Sequence, residues 1–136
     1  MNRAIKSRGK SIHGDEWLYG SLVKIEEDRY AVIPPLNDIE IGKSISMYEV
    51  YLETIGHFTG LLDRNGKEIY EGDIVQLDYI TTTGKHRIGL SFEVKWCTQE
   101  GCFVGWDGFV ENSLQQTRKM FVVKGNVQDN PELINE

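Results

Sequence analysis

The strongest constraint on the fold is an alternation of apolar and polar residues with a period of two. The segment 86–97, "HRIGLSFEVKWC", places Ile88, Leu90, Phe92, Val94 and Trp96 on one face of a strand, and Arg87, Ser91, Glu93 and Lys95 on the other. The segment 73–80, "DIVQLDYI", alternates in the same way, and "TTTGK" between the two is typical of a hairpin loop. The pattern predicts an antiparallel pair of half-buried strands.

Further strands follow the same pattern along the chain. "EWLYGSLVKI" and "RYAVIPP" predict a hairpin that turns at residues 26–28, and "CFVGW" and "RKMFVVKGN" predict two later strands. "VENSLQQT" predicts a short helix, and "DNPELINE" predicts another, with Asn130 as N-cap and Pro131 at the first helical position. The expected fold is mainly β: a small coiled antiparallel sheet or a partly open β-barrel with one or two short helices.

The length of the chain predicts one domain. Its 136 residues are enough to bury a substantial core. We expect a single β-rich domain over residues 1–136, with an N-terminal hairpin region at 1–35, a main sheet or barrel at 47–127 and a short C-terminal helix at 128–136. The segment 35–46 has weak patterning and is interpreted as a loop between the first two regions.

The stretch "TGLLDRNGKEIYEGDIV", residues 59–75, is rich in side-chain oxygen atoms and has two interpretations. In a calcium loop that starts at Asp63, Lys67 and Ile74 would stand where carboxylates are needed, which argues against metal binding. A turn fits better, with Asp at the first position and Gly at the last. The predicted turn residues, all structural, are Asp63, Asn65, Gly66, Gly72 and Asp73.

Candidate catalytic and metal residues are few. Cys97 and Cys102 have no second cysteine pair with which to complete a zinc site, although His57 or His86 is available as a ligand. We interpret the two cysteines as flanking a hairpin turn, and a reducing compartment keeps them as thiols. The chain has no GxGxxG, Walker, HExxH or GxSxG motif. We therefore expect no catalytic residues, no metal, no cofactor and no enzymatic activity.

The charge is distributed unevenly. The net charge is −6, yet Arg3, Lys6, Arg8 and Lys10 lie within fourteen residues that contain no acid. This basic segment has three interpretations: a phosphate-binding patch, a patch that docks on the acidic body of a second subunit, or a strand edge protected by cations. Trp17 and Tyr19 follow it and are able to stack on bases, although their alternation with Leu18 favours a core role.

Nothing in the chain predicts membrane insertion or export. No apolar run approaches the length of a membrane span, and residues 1–17 lack the apolar centre of a signal peptide. The expected location is the cytoplasm.

Three segments in order, "IKSRGK...EWLYGSL", "TGLLDRNGKEIYEGDIV" and "VVKGNVQDNPELI", resemble the YopX family of phage and prophage proteins. The resemblance covers nearly the whole chain. It implies a β-rich, barrel-like fold encoded in phage or prophage genomes, in a family whose biochemical role is not established and which offers no catalytic residues to transfer.

Two functions are consistent with the sequence. The first is a phage-encoded accessory protein that acts without catalysis by associating with itself, as a homo-oligomer, or with a phage or host protein. Trp106, Phe109 and Val110 in "GWDGFVEN" are the candidate apolar contact, with a core role as the alternative. The second, less favoured, is a nucleic-acid-associated module that uses the basic N-terminal strand.

Overall fold

The structure is a computed structural model that describes residues 6–34, 46–97, 102–106, 111–113 and 120–133. Within these residues the chain is mainly β, as predicted, and its helical segments are two short 3₁₀ helices, Leu52–Thr54 and Pro131–Leu133. The strands are β1 (Ser7–Lys10), β2 (Trp17–Glu26), β3 (Arg29–Ile33), β4 (Tyr48–Val50), β5 (Gly56–Leu62), β6 (Glu68–Tyr70), β7 (Asp73–Ile80), β8 (His86–Cys97), β9 (Cys102–Trp106), β10 (Glu111–Ser113) and β11 (Phe121–Asn126).

These strands form two antiparallel sheets, neither of which closes into a barrel. The chain divides into two compact units, Met1–Phe58 and Thr59–Glu136. Strand β5 begins in the first unit and ends in the second, and each unit is described separately.

The first unit is built around the predicted hairpin of β2 and β3. Glu26 pairs with Arg29 at its closed end, next to a bulge between Lys24 and Glu26. Strand β4 pairs with β3, and β1 pairs with β2 on one side and with the start of β5 on the other. The sheet curls enough for Ser11 to form an isolated bridge with Val50.

The division between the units lies after Phe58 and not in the weakly patterned segment 35–46. Tyr48 of β4 pairs with Val32, and His57 of β5 pairs with Ser7. Long-range pairing therefore joins residues 48–57 to the N-terminal strands, whereas the sequence pattern predicts them in the main sheet. Local patterning does not reveal such partners, because an isolated strand fits equally well into either sheet.

The second unit contains a five-stranded sheet in the order β10-β9-β8-β7-β11, and the end of β5 lies beside β6. Phe92 and Phe121 meet edge to face at a centroid distance of 5.7 Å and an interplanar angle of 67°. Such pairs stabilise a core beyond the burial of their area. The core of the unit consists of Ile69, Val75, Phe92, Val94, Phe121 and Val123, with Leu61 and Leu77 packed against it.

The prediction of one continuous apolar face on β8 is wrong in the N-terminal half of the strand. The register of β7 and β8 shifts between Gln76 and Asp78, opposite residues 89–90 of β8. A bulge of one residue reverses the facing of every residue beyond it. Phe92, opposite Val75, is therefore buried, whereas Ile88, opposite Asp78, lies on the other face of the sheet.

The structure differs from both helix predictions in the residues that it describes. The first three residues of the candidate helix "VENSLQQT" that the structure describes, Glu111–Ser113, form strand β10, because they pair with β9. Residues 114–117 lie outside the described part of the chain. Near the C-terminus only one 3₁₀ turn, Pro131–Leu133, is described, and its Leu133 N–H donates to the carbonyl of Asn130 at 3.1 Å.

Candidate functional site

The carboxylate of Asp63 is the centre of a hydrogen-bond cluster in the second unit. The side chain is buried, with 5% exposure, and Oδ1 accepts the backbone N–H groups of Asn65 at 2.8 Å and Lys67 at 2.9 Å. Oδ2 accepts the N–H of Val123 on β11 at 2.9 Å. Three backbone donors thus bind the two carboxylate oxygen atoms, and no group of three or more His, Cys, Asp or Glu residues that could hold a metal ion is found among the described residues. These contacts join the turn at Asp63 to β11.

The other predicted turn residues belong to two turns: Asn65 and Gly66 to the turn that begins at Asp63, and Gly72 and Asp73 to the turn between β6 and β7. The N–H of Gly66 donates to the carbonyl of Asp63 at 3.0 Å, and Gly66 has a φ of 83°, which favours glycine. Gly72 donates to Val94, and the carboxylate of Asp73, only 2% exposed, accepts the N–H of Tyr70 at 2.7 Å. These contacts hold the turns from which β6 and β7 begin.

The basic N-terminal strand is packed on aromatic rings. The guanidinium of Arg8 lies 4.7 Å from the centroid of Trp17, and the ammonium of Lys10 lies 5.8 Å from the same ring. The ammonium of Lys6 lies 5.2 Å from the ring of Phe58. Arg8 is only 5% exposed, so its charge is not presented to a phosphate. Arg3 lies outside the described residues.

A serine and a histidine meet in the first unit, a pairing that sequence spacing does not reveal. The hydroxyl of Ser7 and Nδ1 of His57 are 2.8 Å apart, on directly paired strands β1 and β5. Ser7 is 5% exposed. Because a nucleophile must reach its substrate, this geometry suits a structural hydrogen bond better than catalysis.

The candidate contact at "GWDGFVEN" is described only in part. Trp106 is the last residue of β9, and its backbone pairs with Glu93 and Glu111. Phe109 and Val110 lie outside the described residues. Cys97 and Cys102 end and begin β8 and β9 and stand directly opposite each other, which agrees with their interpretation as residues that flank a hairpin turn.

A different apolar surface is exposed in the second unit. We call Ile80, Ile88 and Leu90 the hairpin patch; their exposures are 62%, 61% and 66%. Ile80 and Ile88 lie on the same face, because Ile88 pairs with Asp78 and successive even residues of β7 share a face. Leu90 lies in the bulge. The sequence signal for this surface is Gly89, since glycine inside a strand often marks a bulge.

Polar residues stand beside the hairpin patch. Asp78 Oδ1 accepts hydrogen bonds from Nε2 of His86 at 2.5 Å and from Arg64 Nη1 at 3.0 Å. The hydrogen bond from His86 is the main cause that lowers the pKa of Asp78, and the positive charge of Arg64 adds to it. The hairpin patch therefore lies beside the ionised carboxylate of Asp78 and its two hydrogen-bond donors, His86 and Arg64.

Removing one of these donors should alter the titration of the carboxyl group. We expect His86→Ala to raise the pKa of Asp78 towards its ordinary value of about 3.9, because the largest stabilising contact of the ionised form is lost. Because the pKa of Asp78 is lowered in the folded state, its ionised carboxylate stabilises the fold above the unfolded-state pKa, and this contribution is lost as the pH falls through the folded-state pKa.

Carbon-13 NMR titration of the Asp78 carboxyl group measures this effect. Lys85→Ala, at an exposed neighbour that does not contact Asp78, is the control and should leave the titration nearly unchanged. An identical Asp78 titration in His86→Ala and the parent protein would contradict the assigned hydrogen bond.

A second group of exposed apolar side chains lies in the first unit, close together in the sequence. Four large side chains within six consecutive residues, which we call the β4 patch, have exposures of 38–54%: Met47, Tyr48, Tyr51 and Leu52. Glu49 lies within this segment and forms a bidentate ion pair with Arg29, which donates from Nη2 to Oε1 at 2.8 Å and from Nε to Oε2 at 3.2 Å. The hydrogen bond from Arg29 lowers the pKa of Glu49, so this carboxylate too remains ionised.

The fold and its surfaces define a class: a mainly β chain of two open antiparallel sheets, with apolar surfaces exposed on its strands. The chain belongs to the YopX family, because the family described as "YopX protein" matches residues 6–135. It is also similar to the crystal structure of protein EF1440 from Enterococcus faecalis, with 25% identity and a TM-score of 0.62, over 98% of this chain and 99% of that one. None of the curated proteins that were compared matches the chain. In the described part of the chain, no helix has the length and apolar character needed to cross a membrane.

Proposed function

We propose that the chain is a phage- or prophage-encoded accessory protein that acts by binding protein, without catalysis, through the hairpin patch. The observation that carries this proposal is the exposure of Ile80, Ile88 and Leu90, each above 60%, on neighbouring paired strands. The phage origin rests on the resemblance to the YopX family.

The size of the hairpin patch supports association with protein. Full burial of one leucine or isoleucine side chain contributes about 1.5–3 kcal/mol. Three side chains that are each about two thirds exposed leave roughly 3–6 kcal/mol to be gained when a partner covers them. Association also costs the translational and rotational freedom of the two partners. This gain therefore fits an interaction of weak to moderate affinity that polar contacts reinforce.

The environment of the candidate acids supports a role without catalysis. Asp63 and Asp73 are buried and accept backbone N–H groups, and Ser7 is buried beside His57. Each of these groups is accounted for by a structural contact. The nucleic-acid alternative is less favoured because Arg8, in the middle of the basic strand, is buried against Trp17.

Site-specific photo-crosslinking tests the proposal. A photo-reactive amino acid at Leu90 should crosslink to protein at higher yield than the same group at Glu27, whose side chain is 91% exposed in a polar turn. Mass spectrometry of the products identifies the partner, with the chain itself among the candidates. Ile88→Asp should reduce the yield from position 90 several-fold. Equal yields from positions 90 and 27 in the folded protein would reject the hairpin patch as a binding surface.

A further inference from the structure

We propose that Cys97 and Cys102 are a redox-active pair that closes to a disulfide across the end of the β8–β9 hairpin in the presence of a small disulfide compound. The proposal makes this strand end a reversible modification site, and it does not depend on the hairpin patch. It rests on the pairing of the two strands, which places the only two cysteines of the chain directly opposite each other.

The register of β8 and β9 is regular. It runs without a shift from Glu93 opposite Trp106 to Cys97 opposite Cys102, the last pair that the structure describes in this ladder. Directly opposed residues of antiparallel strands have Cα atoms about 4.5 or 5.5 Å apart, depending on whether they exchange backbone hydrogen bonds. A disulfide forms over Cα distances of about 4.4–6.8 Å. Both kinds of pair therefore lie within reach of the bond.

The sequence separation favours reaction within one chain. Four residues separate the two cysteines, so the bond closes a short loop. The second thiol is therefore present at a high effective concentration beside the first. The chain has no further cysteine. The competing products are a mixed disulfide on one cysteine and a disulfide between two chains.

The chemistry is thiol–disulfide exchange with a low-molecular-weight disulfide such as oxidised glutathione. The thiolate of one cysteine attacks a sulfur atom of oxidised glutathione, forms a mixed disulfide and releases one glutathione thiolate. The thiolate of the second cysteine then attacks the protein sulfur of the mixed disulfide and releases the second glutathione. The two cysteine thiols lose two electrons and two protons, and oxidised glutathione is reduced to two molecules of reduced glutathione.

The geometry of the pair favours a bond that is easily reduced. Cβ atoms of directly opposed residues lie about 4.5–5.5 Å apart, whereas a disulfide holds them at about 3.5–4.5 Å. The strand ends therefore move closer when the bond forms, and strain of this kind makes a disulfide more reducible. In the expected reducing compartment the dithiol is the resting form. The disulfide is a transient response to oxidation rather than a permanent crosslink.

Incubation of the folded full chain with oxidised glutathione tests the proposal. Remaining thiols are blocked with N-ethylmaleimide, and intact-mass spectrometry identifies the product. We expect a monomeric chain that has lost two hydrogen atoms. Cleavage after Glu100, which lies between the two cysteines, should leave the two resulting peptides linked. Dithiothreitol should restore both thiols, and Cys102→Ser should stop at the mixed disulfide.

A matched variant moves one cysteine along the same strand. Cys97→Ser combined with Lys95→Cys keeps two cysteines on one face of the hairpin, because alternate residues of a strand share a face. Position 95 is opposite Val104, so it is a diagonal neighbour of Cys102, about 7–8 Å away and beyond the range of a disulfide. Lys95 is exposed, so its replacement leaves the core unchanged. The closed fraction should be lower by about tenfold or more at the same concentration of oxidised glutathione.

Circular dichroism verifies that each protein is folded. If the matched variant does not fold, the parent chain in urea replaces it: unfolding removes the strand pairing, and the equilibrium constant for closure should fall several-fold. A folded parent that keeps both thiols, stops at the mixed disulfide or forms only disulfides between chains would overturn the proposal. Equal closure in the matched variant, or in the urea-unfolded parent, would overturn the role of the strand register.

Discussion

Asp63→Ala is expected to lower the free energy of unfolding by about 3 kcal/mol or more. The substitution removes the acceptor of three backbone N–H groups, on Asn65, Lys67 and Val123. A buried donor that loses its partner costs about 1–3 kcal/mol, and hydrogen bonds to a charged acceptor are at the stronger end of the range. The bond to Val123 is buried, so water does not readily replace it.

Urea unfolding of matched variants measures this effect. Asn65→Ala changes an exposed side chain in the same turn and keeps the Asp63 carboxylate, so we expect a change of at most about 0.5 kcal/mol. Asp63→Asn retains one oxygen acceptor and should lie between the two. If Asp63→Ala unfolds at the same urea concentration as Asn65→Ala, the carboxylate does not hold the turn and β11 together.

The contacts of Asp63 show how far local sequence predicts this structure. The turn over residues 63–66 can be predicted from its own four residues, because Asp is favoured at the first position of such turns and Gly at the last. The hydrogen bond to Val123 does not follow from them, since it spans sixty positions in the chain. The N–H of Arg64 also donates to Phe121 at 3.0 Å. The turn thus serves as an extra partner for the outer edge of β11, and only the tertiary structure reveals this.

Strand β8 shows why the surface was harder to predict than the fold. The ends of β7 and β8 agree with the alternation pattern, because strand length and turn position are encoded locally. The facing of side chains depends on register, and one bulged residue reverses it. The alternation therefore predicts Ile88 on the same face as Phe92, whereas the structure places it on the opposite face.

The basic N-terminal strand was predicted by charge, but its environment was not. A basic residue close to an aromatic residue in the sequence is consistent with a solvent-exposed basic patch, and equally with a buried cation stacked on the aromatic ring. The second arrangement is found for Arg8, which pairs across the sheet with Tyr19 and lies over Trp17. Sequence spacing does not distinguish the two, because the depth of burial depends on the curl of the whole sheet.

Gly20 lies where two strands of the first unit approach closely. It is buried in β2, with Ser7 of β1 as its partner across the ladder. A Cβ atom at this position would lie 2.0 Å from the carbonyl oxygen of Ile33 and 3.0 Å from Cα of Pro34. Both contacts are with backbone, so no side-chain rotation relieves them.

Gly20→Ala is therefore expected to lower the free energy of unfolding by at least about 2 kcal/mol, because overpacking forces the backbone of β2 away from β3. Gly14→Ala is the matched control: a Cβ there meets only a flexible glutamate oxygen at 3.8 Å, and the position is exposed. Thermal unfolding should show a clear loss for Gly20→Ala and almost none for Gly14→Ala. Equal melting temperatures for the two variants would contradict this prediction. They would show that β2 and β3 accommodate a side chain at position 20 despite the 2.0 Å distance to the carbonyl oxygen of Ile33.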